Sequence, residues 1–256
     1  MIHPTAIIHP SAQLAEDVEV GPYSVIGERV TVGKGTVIGP HVVIEGITTI
    51  GENCRIFQFA SVGAVPQSFK YKGEDTRVVI GDGNIIREFV TIHRGTFERR
   101  GQTQVGNNNF IMAYSHIAHD CQLGNGVIMA NAATLAGHID IEDYSIIGGL
   151  SAIHQYVRIG CYAFLGGATA VTMDIPPYVS AAGNRAKLYG LNIVGLKRHG
   201  FNPETIRKLK RAYRIVFRSG LNMKEALAQI ENEGLDGAEV EHFISFIRTS
   251  KRGICR

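Results

Sequence analysis

Residues 117–147 read IAHDCQLGNGVIMANAATLAGHIDIEDYSII, and a large apolar residue leads every sixth position: Ile117, Leu123, Met129, Leu135, Ile141 and Ile147. The same rhythm runs without a slip from Val105 to Val171. A period of six is neither the 3.6 of a helix nor the simple alternation of an ordinary strand. It is the signature of a hexapeptide β-helix, where three short sides make one coil and coils stack into a solenoid. The chain is therefore expected to be an all-β solenoid over most of its length.

Outward from this stretch, the rhythm begins at Ile2 and holds through Val62. It breaks near 66–79, resumes at Ile80, Ile86 and Ile92, and breaks again near 95–104. Insertions in a solenoid must leave its body as loops, often on the binding face. The first carries Lys70, Tyr71 and Arg77, which suit sugar or phosphate contact. Pro176 and Pro177 end the repeat, because proline cannot donate to a strand ladder. Beyond them Asn202-Pro203-Glu204 reads as a helix start, with Asn as cap and Pro in the first turn. Further helices are expected over about 223–233 and 238–249, each set off by glycine. The expected division is a β-helix over 1–184 and a basic helical domain over 185–256 that caps the open end.

Composition narrows the class. The 256 residues carry 45% hydrophobic and 19% charged side chains, ordinary for a water-soluble protein. No run of eighteen apolar residues exists and the N-terminus lacks a signal-like segment, so a cytoplasmic protein with no membrane span is expected. Cys54, Cys121, Cys161 and Cys255 form no Cys-x-x-Cys pair and suggest no disulfide framework. The net charge of +3 conceals an asymmetry: residues 185–256 hold fifteen Lys/Arg against seven Asp/Glu, and the rest eleven against sixteen. A basic tail on an acidic body points to an acidic partner or a phosphate-bearing ligand.

With three hexads per coil, residues eighteen apart lie about one strand spacing apart, ~4.8 Å. Gly137 then sits one coil beyond His119, and His138 one coil beyond Asp120. His116 and His154 fall within the same few coils, so the histidines crowd one edge. Acyl transfer to a hydroxyl needs a base for the proton and donors for the oxyanion. His119 suits the first task, and Asp120 could orient its imidazole if a corner overrides the opposite facing of neighbours on a strand. Gly137, with no side chain, could offer its backbone N–H to the oxyanion.

The motifs Ile-Ala-His-Asp-Cys (117–121), Thr-Ile-His-Arg-Gly-Thr (91–96), Thr-Leu-Ala-Gly-His (134–138), His-Gln-Tyr (154–156) and Gly-Leu-Lys-Arg-His-Gly-Phe (195–201) carry a resemblance. Together they resemble the UDP-N-acetylglucosamine acyltransferase family of lipid A biosynthesis, over the whole chain. The resemblance implies a left-handed parallel β-helix, a homotrimer with active sites between subunits, and a C-terminal helical domain. It implies transfer of an (R)-3-hydroxyacyl chain from acyl carrier protein to the glucosamine 3-position. By it His119 is the general base, Asp120 its supporting carboxylate and Gly137 the oxyanion donor. His116, His138, His154 and Gln155 line the cleft, Lys70 and His93 contact sugar and phosphate, and Asn192 and Arg198 contact the nucleotide. Gly167 leaves the acyl groove open to a longer chain. No metal, redox cofactor or nucleic acid is implied.

Three positions depart from the family pattern. Ser68 stands where many members have Asp, Val194 where relatives often have Glu, and His199 where they often have a second Arg. Ser68 supplies no carboxylate to grip a sugar hydroxyl. Rival readings fit less of the chain. A zinc enzyme of the γ-carbonic anhydrase type could use His116, His119 and His138, but gives the basic tail no purpose. An acetyl-CoA-dependent enzyme would not need a domain suited to an acidic protein. The related glucosamine N-acyltransferase normally carries an extra N-terminal domain, whereas hexads begin here at Ile2. A flat repetitive binding face would need a ladder of identical residues, and none recurs every eighteen positions.

Overall fold

The computed structural model describes every residue except Arg99. The hexads form a left-handed parallel β-helix with three flat sides. Sheet I has nine strands from Ile7–Ile8 to Ala170–Val171, sheet II eight from Gln13–Leu14 to Arg158–Ile159, and sheet III ten that begin at Glu19–Val20. The eighteen-residue register is observed directly: Ile117 pairs with Leu135, Leu135 with Ile153, and Ile153 with Val171. From Val20 onward the leaders face inward, each meeting those above and below. Ile44, Val62, Ile92, Ile117 and Leu135 are fully buried in one such stack. β-Branched and aliphatic side chains fill this narrow interior because they pack well on pleated, half-buried surfaces. Cys54 and Cys121 are buried in the same lining, and burial pushes the Cys121 thiol up to about 12.

The coil turns sharply between sides, and at most corners the turning residue lies three places after a leader. Asp120, His138 and Tyr156 do this between sheets I and II, with φ of 61°, 65° and 64°. Such left-handed conformations disfavour residues with a Cβ, so the stacked ladders on either side hold these corners in place. Both insertions emerge at this same I–II edge. The first leaves after Ser61–Ala64 and re-enters at Arg77–Ile80; the second leaves after Thr91–His93 and re-enters at Gln102–Val105. The chain thus rejoins the ladder earlier than the leaders Ile80 and Val105 suggest, since each strand extends ahead of its leader.

The open end is closed differently from the sequence-based expectation. Lys187–Leu191 folds back antiparallel on Val179–Ala182 and covers the last strand of sheet III. Ile254 near the C-terminus bridges to Asp174, and the Cys255 amide donates to the Asp174 carbonyl at 2.9 Å. The helices stack behind this strand and tail. They are α1 (Ile193–Arg198), α2 (Pro203–Arg218), α3 (Met223–Asn232) and α4 (Ala238–Arg248). Asn202 caps α2 as its residue type suggests, accepting from the Thr205 amide at 2.8 Å. The short α1, capped by Asn192, was not expected from the sequence. Among the described residues no helix is long and apolar enough to cross a membrane.

Truncating a leader removes contacts on two neighbouring coils at once. Leu135→Ala should therefore cost about 2–5 kcal/mol, the range for a large-to-small change in a closed core. Denaturant unfolding checks this, and a loss below about 0.5 kcal/mol would mean that the stack does not bear stability.

Candidate active site

At the I–II edge the corner at Asp120 reorients the chain so that His119 and Asp120, adjacent in sequence, meet side by side. His119 Nδ1 lies 2.9 Å from Asp120 Oδ2. The same carboxylate oxygen accepts from the Thr96 amide at 3.0 Å and from the Thr96 hydroxyl at 2.6 Å. The Asp120 amide donates to Thr103 Oγ1 at 2.8 Å. Asp120 is wholly buried, and burial alone would raise its carboxyl. The hydrogen bonds from His119 and Thr96 outweigh that and hold it below the usual carboxylate range, so it stays ionised. This arrangement fixes the tautomer of His119: with Nδ1–H given to Asp120, Nε2 is left as the proton acceptor.

Gly137 lies directly over this imidazole. A Cβ there would come within 2.5 Å of His119 Cε1 and 2.7 Å of Nε2, so only glycine fits. Its amide also stands outside the ladder. On the II–III edge the amides equivalent in the repeat are capped by side chains, as where Asn107 N–H donates to Asn125 and Asn125 N–H to Asp143. Among the described residues no acceptor caps the Gly137 amide. It is a donor left open beside the base.

His138, one coil on, packs edge-on to His119 with centroids 4.9 Å apart, and its Nδ1 lies 3.7 Å from Asp120 Oδ2. Tyr156 stacks flat on His138 at 4.6 Å. On sheet I, His93 and His116 pack edge-on at 4.9 Å, and His116 Nδ1 bonds Thr91 Oγ1 at 2.6 Å. Burial, and then the neighbouring imidazoles, push His116 from 6.5 to about 4, and His93 is lowered for the same reasons. Both are therefore neutral at pH 7 and can accept a hydrogen bond. The first insertion overhangs His119 and closes a groove of about 300 Å³ whose walls include Ser68, Lys70, Glu98, His138 and Gln155. Lys70 Nζ pairs with Glu98 across the rim at 2.7 Å. A hollow of about 520 Å³ between Met173, Arg185, Lys187 and Arg256 is larger but touches none of these histidines.

Not every residue expected at the site is here. His154 is exposed, and its Nδ1 meets Arg252 of the tail at 2.7 Å rather than the groove. Gly167 follows a sheet III leader and lies on the III–I edge, beside the Gly149 carbonyl. Asn192 caps α1 and donates to the Tyr162 carbonyl on the II–III edge, where His199 also packs against Tyr144 and Tyr162. Arg198, at the end of α1, is exposed. One chain therefore carries the expected residues on three separate edges. Conversely, sequence reasoning missed Thr96, Thr103, Glu98 and Tyr156. Tyr156 was findable, being eighteen residues after His138. Thr96 was not, because the second insertion destroys the count between it and Asp120.

Among the described residues, two clusters of donors lie close enough to hold a metal ion: His119, Asp120 and His138 at this groove, and Glu142, Cys161 and His242 elsewhere. In the first, Asp120 Oδ2 is already taken up by Thr96 and His119, an arrangement that suits a base and its carboxylate.

Comparison with known proteins gives a consistent picture. The family described as Udp N-acetylglucosamine O-acyltransferase, domain 2, matches residues 174–255, and the bacterial transferase hexapeptide (six repeats) matches 11–46 and 102–137. An acyl-[acyl-carrier-protein]–UDP-N-acetylglucosamine O-acyltransferase of Alkalilimnicola ehrlichii is 54% identical over 255 residues, covering 100% of this chain and 99% of its own. The structure of LpxA from Acinetobacter baumannii matches with a TM-score of 0.97 at 48% identity, over 100% of this chain and 99% of that one. That of LpxA, a UDP-N-acetylglucosamine acyltransferase from Bacteroides fragilis, matches with a TM-score of 0.98 at 44% identity over the whole of both chains.

The Thr96 hydroxyl donates to Asp120, so its effect should pass through the orientation of His119. A charge-assisted hydrogen bond is worth roughly 1.5–3 kcal/mol, or about 10–100-fold in rate. Thr96→Val should lower kcat by that factor with little change in KM, and Thr96→Ser should restore most of it. Steady-state kinetics on the three proteins checks this, and a fully active Val variant would contradict it.

Proposed function

The chain belongs to the UDP-N-acetylglucosamine O-acyltransferase family, and on that premise we propose that it moves an (R)-3-hydroxyacyl chain from acyl carrier protein to the 3-hydroxyl of UDP-N-acetylglucosamine, in the cytoplasm, as a step of lipid A biosynthesis. The observation that carries the reading is the conjunction at one edge of a tautomer-fixed imidazole, a buried ionised carboxylate and an uncapped amide.

In this mechanism His119 Nε2 removes the proton from the acceptor hydroxyl as its oxygen attacks the thioester carbonyl. The carbonyl π electrons move onto oxygen, and the resulting oxyanion is held by the Gly137 N–H. Asp120 stabilises the imidazolium that forms. Collapse reforms the carbonyl, breaks the carbon–sulfur bond, and returns the proton from His119 to the departing thiolate. The ester product and free carrier thiol balance the reaction, and the thioester supplies the driving force with no metal or redox cofactor.

Lys70, His93, His116, His138 and Gln155 are assigned to sugar, phosphate and acyl contacts in and beside the groove. The carboxylate that Ser68 fails to supply stands instead on the second insertion as Glu98, on the wall of the same groove. Residues 1–184 serve as the catalytic solenoid, and the basic 185–256 segment as the dock for the acidic carrier protein.

The remaining assigned residues, Gly167, Asn192, Arg198 and His154, lie outside this groove in one protomer. We therefore read the active unit as a homotrimer whose sites form where the I–II edge of one chain meets a neighbour, which brings the nucleotide and acyl contacts. An exposed aromatic stack supports this: Tyr23, His41, Phe59, Phe89 and Tyr114 lie ring on ring along the III–I edge, spaced by 4.8–5.2 Å. Exposed Leu150 lies further along the same edge, and contiguous exposed apolar surface marks an interaction site.

The test is incubation with UDP-N-acetylglucosamine and (R)-3-hydroxyacyl carrier proteins of several lengths, followed by mass spectrometry. One added hydroxyacyl group is expected, and His119→Ala should fold yet lose at least about 100-fold of turnover, the lower end of what a general base contributes. Activity of His119→Ala within tenfold of wild type would remove His119 from the role of base.

A further inference from the structure

The Glu142, Cys161 and His242 cluster lies on the II–III edge, away from the groove of His119. Glu142 follows the strand Asp140–Ile141, Cys161 lies one coil further on after Arg158–Ile159, and His242 projects from α4, one hundred residues from Glu142. Their donor atoms all fall within 4.8 Å of one another. Glu142 Oε2 accepts from the Cys161 amide at 2.9 Å and lies 2.7 Å from His242 Nε2. All three residues are half-buried, so one side of the cluster opens to water. Tyr178 sits edge-on to the His242 ring at 6.2 Å and covers another side.

We propose that Glu142, Cys161 and His242 form a second site that takes a thiophilic divalent cation of the zinc type and ties α4 to the solenoid. The donor set decides the class of ion. Calcium and magnesium take oxygen ligands, whereas one thiolate, one imidazole and one carboxylate suit zinc. Three protein ligands with an open fourth position is a common zinc arrangement. Zinc is held by a thiolate and a neutral imidazole, so binding releases whatever protons these ligands carry. Because the ligands come from two coils and from the helical segment, the binding free energy adds directly to the docking of that segment. α2 packs against α4, so the ion also steadies the basic helix. The inference is independent of the acyl-transfer reading.

The test uses the full chain, stripped with chelator and titrated with Co²⁺ as a spectroscopic stand-in. One equivalent per chain should bind with a thiolate-to-cobalt charge-transfer band and tetrahedral ligand-field bands, and Zn²⁺ should displace it. His242→Gln and Cys161→Ser should weaken binding by more than the roughly 10–100-fold that loss of a mere outer-shell partner costs, and His119→Ala should leave it unchanged. If Cys161→Ser fails to fold, His242→Gln decides, since that side chain is 40% exposed. Folded wild type that shows no thiolate band overturns the proposal. So does binding that survives His242→Gln, or that is lost in His119→Ala, which would place the ion on His119, Asp120 and His138.

Discussion

Everything in this molecule depends on the parallel stacking of one coil on the next. A residue and its counterpart eighteen places on are held side by side by the ladder, with leaders locked into a single internal column. Contacts between neighbours in that column are the main apolar burial available to so thin a solenoid. The regularity leaves little freedom for the outward positions. A side chain on the edge is placed by the count of residues and needs no packing of its own to be positioned, so the scaffold is a rigid ruler on which reactive groups are set at fixed spacing.

The chemistry sits where that ruler is bent. The left-handed corner at Asp120 turns a side chain that alternation would send away back onto His119. The absence of a side chain at Gly137 gives the imidazole its room. The two insertions leave at the same edge, one bringing Ser68 and Lys70 over the groove, the other bringing Thr96 beneath Asp120 and Glu98 to the rim. An irregular loop is expensive to order, and here each loop is anchored at both ends by strands of adjoining sheets. Electrostatics complete the site: His93 and His116 are held neutral by burial, and Asp120 is held ionised by its hydrogen bonds, so the edge carries acceptors of two kinds.

The sequence carried the solenoid plainly because its period is unique to that architecture. The stacking of Gly137 over His119 followed from counting alone, as did the crowding of the histidines. Counting failed wherever the register was interrupted. Thr96 and Asp120 are twenty-four residues apart across a loop, so no periodic argument could join them. The His119–Asp120 contact depends on a positive φ that alternation does not predict. The antiparallel return of Lys187–Leu191 was hidden because a short strand after a proline pair has no repeat to announce it. Gly167, Asn192 and Arg198 were candidates by resemblance alone, and the edges they occupy could be read only from the coils themselves.

Their separation on three edges makes assembly the central claim: the site is completed by a neighbouring chain. Mixed trimers test this most directly. Chains carrying His119→Ala and chains carrying Gly167→Trp, each inactive alone, would be unfolded together, refolded at equal ratio and assayed, with native mass spectrometry confirming mixed assemblies. If His119 of one chain works with Gly167 of the next, about a quarter of wild-type activity returns, as random assortment around a closed ring requires. Mixed trimers that remain inactive would show that each site is built within a single chain, and would contradict the account.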